Sequence, residues 1–251
     1  MQGLSLCIPK ARTLALVGTS GAGKSMTSLA IMRLLPQSIQ QTGGTITLNG
    51  CDLATLSEEQ MRQVRNTQVA MILQNPMSAF DPVFTIRSHF FETLRSHNGI
   101  HGTGQNKKQM ESLACNALRE TGFPDPQAIL KIYPFQMSGG MLQRVMIALA
   151  LVNNPQLLIA DEATTDLDVL SQANIIRLLR QRAQERHMSV LLITHDLSVA
   201  ANFADDMVVV HQGEMIESGT VQNVMLRPQQ PFTQQLVQAH LDLYHQNIIA
   251  L

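Results

Sequence analysis

Short runs of aliphatic and β-branched residues alternate along the chain with longer stretches in which apolar residues recur at helical spacing. That is the rhythm of an α/β domain with a largely parallel sheet. Buried strands are predicted at residues 13–17, 69–73, 157–160, 190–194 and 207–210. Residues 45–48, followed by Asn49-Gly50, predict a strand entering a tight hairpin, and 214–216 after Gln212-Gly213 repeat the signal, so small antiparallel additions are expected. Between about 78 and 152 the strand pattern vanishes, and 110–121 and 141–152 predict helices. This reads as an inserted helical subdomain, not a second independent core. The glycines and amides of 96–108 predict a surface loop. From about 222 a helical pattern returns, broken by Pro228 and Pro231, as a C-terminal helical appendix. The expectation is one domain over 1–251.

Composition narrows the function classes. With 45% hydrophobic and 15% charged residues the chain fits a globular protein. The balance of 18 Lys+Arg against 19 Asp+Glu speaks against a basic nucleic-acid footprint. The longest apolar run, 145–152, is far shorter than the roughly 20 residues that cross a bilayer as a helix. No basic region precedes the apolar residues of the N-terminus, so no secretory signal is expected and a cytoplasmic location follows. Cys7, Cys51 and Cys115 form no C-x-x-C pair and read as reduced, mostly buried thiols.

Candidate chemistry begins with Gly18-Thr19-Ser20-Gly21-Ala22-Gly23-Lys24-Ser25, which fits G-x-x-x-x-G-K-[ST] between a predicted strand and a helix expected to run to Pro36. Glycines let backbone N–H groups wrap phosphates, a helix N-terminus adds positive dipole, Lys24 supplies a point charge, and the Ser25 hydroxyl suits Mg²⁺. Nucleotide chemistry of this kind needs a metal-side carboxylate at the end of a buried strand, which Asp161 provides after Leu157-Leu158-Ile159-Ala160. Glu162 follows and is suited to polarise an attacking water. These motifs leave kinases, GTPases and ATPases open.

Met137-Ser138-Gly139-Gly140-Met141-Leu142-Gln143-Arg144, opening a helix ahead of Asp161, narrows the choice. With it, the chain from about Leu4 to about Ala239 resembles the ATP-binding subunits of ABC transporters. The resemblance implies ATP and Mg²⁺ as cofactors and a site completed in trans, with Ser138, Gly139 and Gly140 of one subunit receiving the γ-phosphate held by its partner. It implies that Gln74 contacts Mg²⁺ and the attacking water where the membrane subunit docks, that His195 senses the γ-phosphate, and that Asp168, in Thr164-Thr165-Asp166-Leu167-Asp168, lies in a loop crossing the dimer interface. Implied partners are two membrane permease subunits, a second homologous ATPase subunit and, indirectly, an extracytoplasmic substrate-binding protein, at the cytoplasmic face of the membrane.

Gln74-Asn75-Pro76-Met77-Ser78-Ala79-Phe80-Asp81-Pro82 and Gln230-Pro231-Phe232-Thr233 resemble the importer branch for oligopeptides, dipeptides and nickel. Leu130 through Arg144 and Ala239-His240-Leu241-Asp242-Leu243-Tyr244 are most similar to its nickel-importing members. Peptide import is the alternative, followed by a soluble ABC ATPase without a pore. Three departures stand out: Met141 where the family has Gln, Ala163 where it commonly has Pro, and only residues 1–17 ahead of Gly18. The last implies that the family's first strand, with the aromatic that stacks on adenine, is missing. His97, His101, His240 and His245 are expected to be solvated rather than metal ligands, since no carboxylate or Cys joins them.

Overall fold

A computed structural model describes residues 1, 3–101, 106–164 and 168–249, with side chains outside the description at 97–101, 169 and 243–249. In chain order the elements are β1 (Thr13–Gly18), α1 (Lys24–Ile31), β2 (Thr47–Leu48), β3 (Cys51–Asp52), α2 (Glu58–Thr67), β4 (Val69–Ile72), α3 (Ile86–His101), α4 (Lys107–Glu120) and α5 (Pro126–Lys131). There follow α6 (Gly139–Leu151), β5 (Leu157–Asp161), α7 (Val169–Glu185), β6 (Ser189–Thr194), α8 (Leu197–Phe203), β7 (Asp206–His211), β8 (Glu214–Thr220), α9 (Val221–Leu226) and α10 (Pro231–Ile249).

Among the described residues the main sheet has the order β4-β5-β6-β1-β7-β8. Every neighbouring pair is parallel except β7 with β8, which run antiparallel from the Gln212-Gly213 turn. β2 and β3 form a separate antiparallel hairpin. Because side chains alternate across a strand, β1 feeds two cores. Ala15 and Val17 join one cluster with Phe90, Leu118 and Ile147 of the helices, while Leu14 and Leu16 join another with Leu53 and Met61. A strand buried on both faces must be continuously apolar, which is why β1 and β5 stood out in the sequence.

Several expectations are corrected. α1 stops at Ile31 rather than Pro36, because Arg33 adopts a left-handed φ of 50° and the Leu34 N–H turns back to the Leu29 carbonyl, closing the helix end. Arg33 then donates through Nη1 to the Leu53 and Leu56 carbonyls. The loop predicted over 96–108 is largely helical: α3 continues to His101 despite Gly99, and Asn106 caps α4 in a reciprocal box with Gln109. Residues 102–105 lie outside the described residues. The thiols are not mostly buried: Cys115 is, and desolvation pushes its thiol up, but Cys7 and Cys51 are exposed. Cys51 sits on the uncovered hairpin, and Cys7 alternates with Leu6 and Ile8, which turn inward.

The core makes a direct stability prediction. Leu158 is fully buried in the larger cluster, so Leu158→Ala should lower the unfolding free energy by about 2–5 kcal/mol. Leu170→Ala, at 77% exposure, should change it by less than about 0.5 kcal/mol. Urea titration of the isolated chain measures both.

Candidate active site

β1, β4, β5 and β6 all end on one side of the sheet, where the chain order reverses about β1, and crevices at such switch points hold ligands. β1 ends at Gly18, where a Cβ would overlap the Val210 carbonyl of β7, so only glycine lets the strand turn there. The turn closes with Ala22 N–H on the Thr19 carbonyl. Gly21 and Gly23 take positive φ of 77° and 94°. Gly23 caps α1, and a Cβ there would overlap the Met1 side chain. Thr19, Ser20 and Gly21 remain exposed, an open loop ahead of a helix N-terminus.

Lys24 is buried at 6% exposure, with Nζ donating to the Gly18 and Thr19 carbonyls at 2.9 Å each. Burial pulls its pKa down, opposed by the charges of Glu162 and Asp161. The ammonium thus ties the start of the loop to the first turn of α1. Ser25 Oγ donates to Asp161 Oδ1 at 3.2 Å, and Ser28 Oγ lies 3.3 Å from Oδ2. Asp161 is 4% exposed, and burial pushes its pKa up against those two hydroxyl contacts. A desolvated carboxylate held by hydroxyls is short of positive charge, and together with Ser25 it is a hard-oxygen set suited to Mg²⁺.

Glu162 comes next at a left-handed φ of 49°, fixed by its N–H on the Ile193 carbonyl. Its Oε2 accepts from Gln74 Nε2 at 2.9 Å, and its Oε1 lies 3.1 Å from His195 Nδ1. Against an ionised carboxylate, His195 must carry its proton on Nδ1, which leaves Nε2 on a ring that is 58% exposed. The structure therefore brings together Lys24, Ser25, Asp161, Glu162, Gln74 and His195 from four strand ends. Gln74 meets Glu162 rather than Ser25 or Asp161.

Ser138, Gly139 and Gly140 stand apart. Among the described residues no hydrogen bond links them to the phosphate loop; Ser138 caps α6, accepting from Met141 N at 3.3 Å, and its side chain and Gly139 are exposed. Asp168 caps α7 through Ser171, which holds its carboxyl below the usual range. Thr165, Asp166 and Leu167 lie outside the described residues, as do the side chains of His97, His101 and His245. His240 Nε2 lies 3.2 Å from Ser198 Oγ.

Three contacts escaped the sequence reading. Ser28 was legible as i+3 from Ser25 on α1, one helical turn along. Gln143 Nε2 donates to the Ala163 carbonyl at 2.5 Å, and its one signal was an amide inside an apolar helix. Thr19 Oγ1 lies 3.4 Å from His211 Nδ1, and that ring stacks on Phe232 with centroids 4.0 Å apart, a pairing across elements that no local pattern announces.

Asp161 supplies the prediction of this site. Its raised pKa means that the folded chain holds this proton more tightly than the unfolded chain, so its contribution to stability falls as pH rises from the ordinary carboxylate value of about 3.9 through the raised one. Asp161→Asn should raise the Tm of the nucleotide-free chain at pH 7 by a few degrees, on the scale of about 2–4 °C per kcal/mol, while abolishing the stabilisation that Mg²⁺-nucleotide adds. Thermal scans with and without Mg²⁺-nucleotide test both; a lower Tm without ligand contradicts the burial argument.

Comparison with known proteins identifies the family. Residues 1–165 match the family described as ABC transporter. The chain is 41% identical over 244 residues to the nickel import ATP-binding protein NikD of Rhodospirillum rubrum, covering 97% of this chain and 89% of that one. It is 43% identical over 249 residues to the glutathione import ATP-binding protein GsiA of Salmonella typhimurium, covering 95% of this chain but 38% of that one. Among solved structures, the dimeric ATP-binding cassette MJ0796 with ADP and Pi superposes with a TM-score of 0.77 at 24% identity, over 86% of this chain and 88% of that one. A solved ATP-binding subunit of an ABC transporter gives 0.69 at 28%, over 88% and 84%. The chain belongs to the ABC transporter family, in the branch of ATP-binding subunits that includes the nickel and glutathione import proteins.

Proposed function

We propose that this chain is the ATP-hydrolysing subunit that energises import of nickel through a membrane ABC transporter. The observation that carries the ATPase reading is the position of Glu162, bonded to Gln74 and His195 immediately after the Asp161 that Ser25 contacts. Lys24 moves from the loop carbonyls to the β- and γ-phosphates, and the N–H groups of Gly18 to Ser25 wrap them. Ser25, Asp161 and Gln74 would hold Mg²⁺, which neutralises charge on the phosphates when bound. Glu162 orients the water and accepts its proton. His195, tied to Glu162, lies beside the position of the γ-phosphate. Ser138, Gly139 and Gly140 serve the nucleotide of a second ATPase subunit.

For the pore, supporting features are the exposed apolar residues in the segments that follow Gln74 and precede α6: Met77, Val83, Phe84, Tyr133 and Phe135. Tyr133 and Phe135 stack at 5.5 Å, and the Ile86 N–H on the Ile132 carbonyl joins the two segments. This face suits a permease subunit. No described helix is long and apolar enough to cross a membrane, so the pore belongs to other subunits. Residues 78–152 act as the helical subdomain, and the assembly sits at the cytoplasmic face of the membrane.

Nickel is favoured by the near full-length similarity to NikD. The comparable identity to GsiA supports a second reading, import of a small peptide. Uptake of radiolabelled nickel and of glutathione or a dipeptide, in cells lacking this gene, separates them: loss of peptide uptake alone overturns the nickel reading.

In the assembled transporter, Lys24→Ala should reduce ATP turnover at least about a hundredfold, since it leaves the phosphate charge uncompensated. Glu162→Gln should bind ATP with near-parental affinity and hydrolyse it at least about a hundredfold more slowly. Nucleotide binding and phosphate release, measured side by side, distinguish the two. The isolated chain should turn over slowly and be stimulated by its ATPase and permease partners; full activity in a dilute monomer contradicts the site in trans.

A further inference from the structure

Gln143 belongs to neither set of residues assigned above, yet it links them. It lies on α6 one turn beyond Gly139, is 1% exposed, and donates through Nε2 to the carbonyl of Ala163, the residue after Glu162. Among the described residues its Oε1 is buried with no hydrogen-bond partner. A buried orphan acceptor destabilises a fold, and an apolar side chain of similar shape would remove it while leaving the buried Ala163 carbonyl without this donor. The amide therefore persists at a cost to stability, and what it provides is the bond to Ala163.

That bond is placed to control Glu162. With the backbone at a left-handed φ of 49°, the direction of the Glu162 carboxylate depends on the two peptides that flank it. The preceding one is held by the Ile193 carbonyl on β6. The following stretch is held by Gln143 from α6 and, at Thr164 Oγ1, by Gln172 from α7. α6 is packed into the larger core cluster through buried Leu142, Val145 and Met146, which makes it a stiff connection between its two ends. Its exposed N-terminus, at Ser138 and Gly139, and the Ala163 carbonyl are thus joined through one helix.

We propose that Gln143 is a positioning residue that transmits capture of the partner subunit's γ-phosphate at Ser138 and Gly139 to the catalytic Glu162 of its own subunit. The proposal rests on the ATPase reading above. It makes each subunit hydrolyse in response to nucleotide bound across the interface, so the link appears in kcat and in cooperativity, not in nucleotide affinity. Gln143→Met keeps the shape and removes the donor. Gln143→Glu keeps the shape and donates only when its buried carboxyl is protonated.

The experiment measures ATP turnover, ATP binding and Tm for the assembled transporter carrying each variant, with Lys24→Ala as control. Q143M should lower kcat about tenfold or more with KM within about twofold, reduce the Hill coefficient for ATP toward 1, and leave Tm little changed, since one buried unpartnered acceptor, Gln143 Oε1, is exchanged for another, the Ala163 carbonyl. Q143E should approach the parental rate as pH falls, relative to the parent at the same pH, and it carries the test if Q143M does not assemble. A parental kcat and Hill coefficient in Q143M, a loss that tracks a falling Tm or weakened binding, or a Q143E deficit independent of pH overturns the link. If Lys24→Ala turns over normally, the ATPase reading itself has failed, and the two failures are thereby distinguished.

Discussion

A carboxylate at the dry end of a buried strand is the constraint around which this molecule is arranged. Asp161 is the last residue of β5, a strand covered on both faces, and charge there must be compensated. The hydroxyls of Ser25 and Ser28 meet it from the first turns of α1, which tie that helix across the sheet to β5. Placing α1 in this way places the phosphate loop. The same strand end puts Glu162 within reach of β4 through Gln74 and β6 through His195. Asp161 and the neighbouring Glu162 thus tie α1, β4 and β6 to the end of β5.

Lys24 shows the same economy from the opposite sign. Its ammonium is buried against two loop carbonyls, which tie the loop to α1. On the reading proposed above, nucleotide would exchange these protein acceptors for stronger ones without exposing the charge to water. Both signs of charge are kept in a state that the ligand improves, so ligand binding and stability are coupled through the same few side chains.

Much of this was legible in the sequence because the relevant forces are local. Strands buried on both faces betray themselves as unbroken aliphatic runs, and the predicted positions of β1, β4, β5, β6 and β7 each lie within a residue of the observed ones. The spacing of Gly18, Gly23, Lys24 and Ser25 carries its own geometry. What the sequence concealed was non-local or compensated. α3 persists through Gly99 because Phe90, Phe91 and Leu94 anchor it in the core. The end of α1 depended on a non-glycine residue, Arg33, accepting a left-handed φ while its guanidinium bonded a distant turn. The bond from Gln143 to Ala163 joins elements far apart in the chain, and an isolated Gln in an apolar helix points to no partner.

The antiparallel strand β8 has a bearing on how this chain survives alone. It ends the main sheet among the described residues, and such an edge is a template on which another chain can add a strand. Two features blunt it. The register of β7 with β8 slips at Val209 and Val210, which twists the edge, and Glu214 and Glu217 place negative charge along it. Glu217 also receives the N–H groups of Gln229 and Gln230, so the segment leading into α10 is drawn against the open rim. A subunit made separately from its assembly partners therefore carries its own protection against aberrant strand pairing and fibrillar aggregation while it waits to be incorporated.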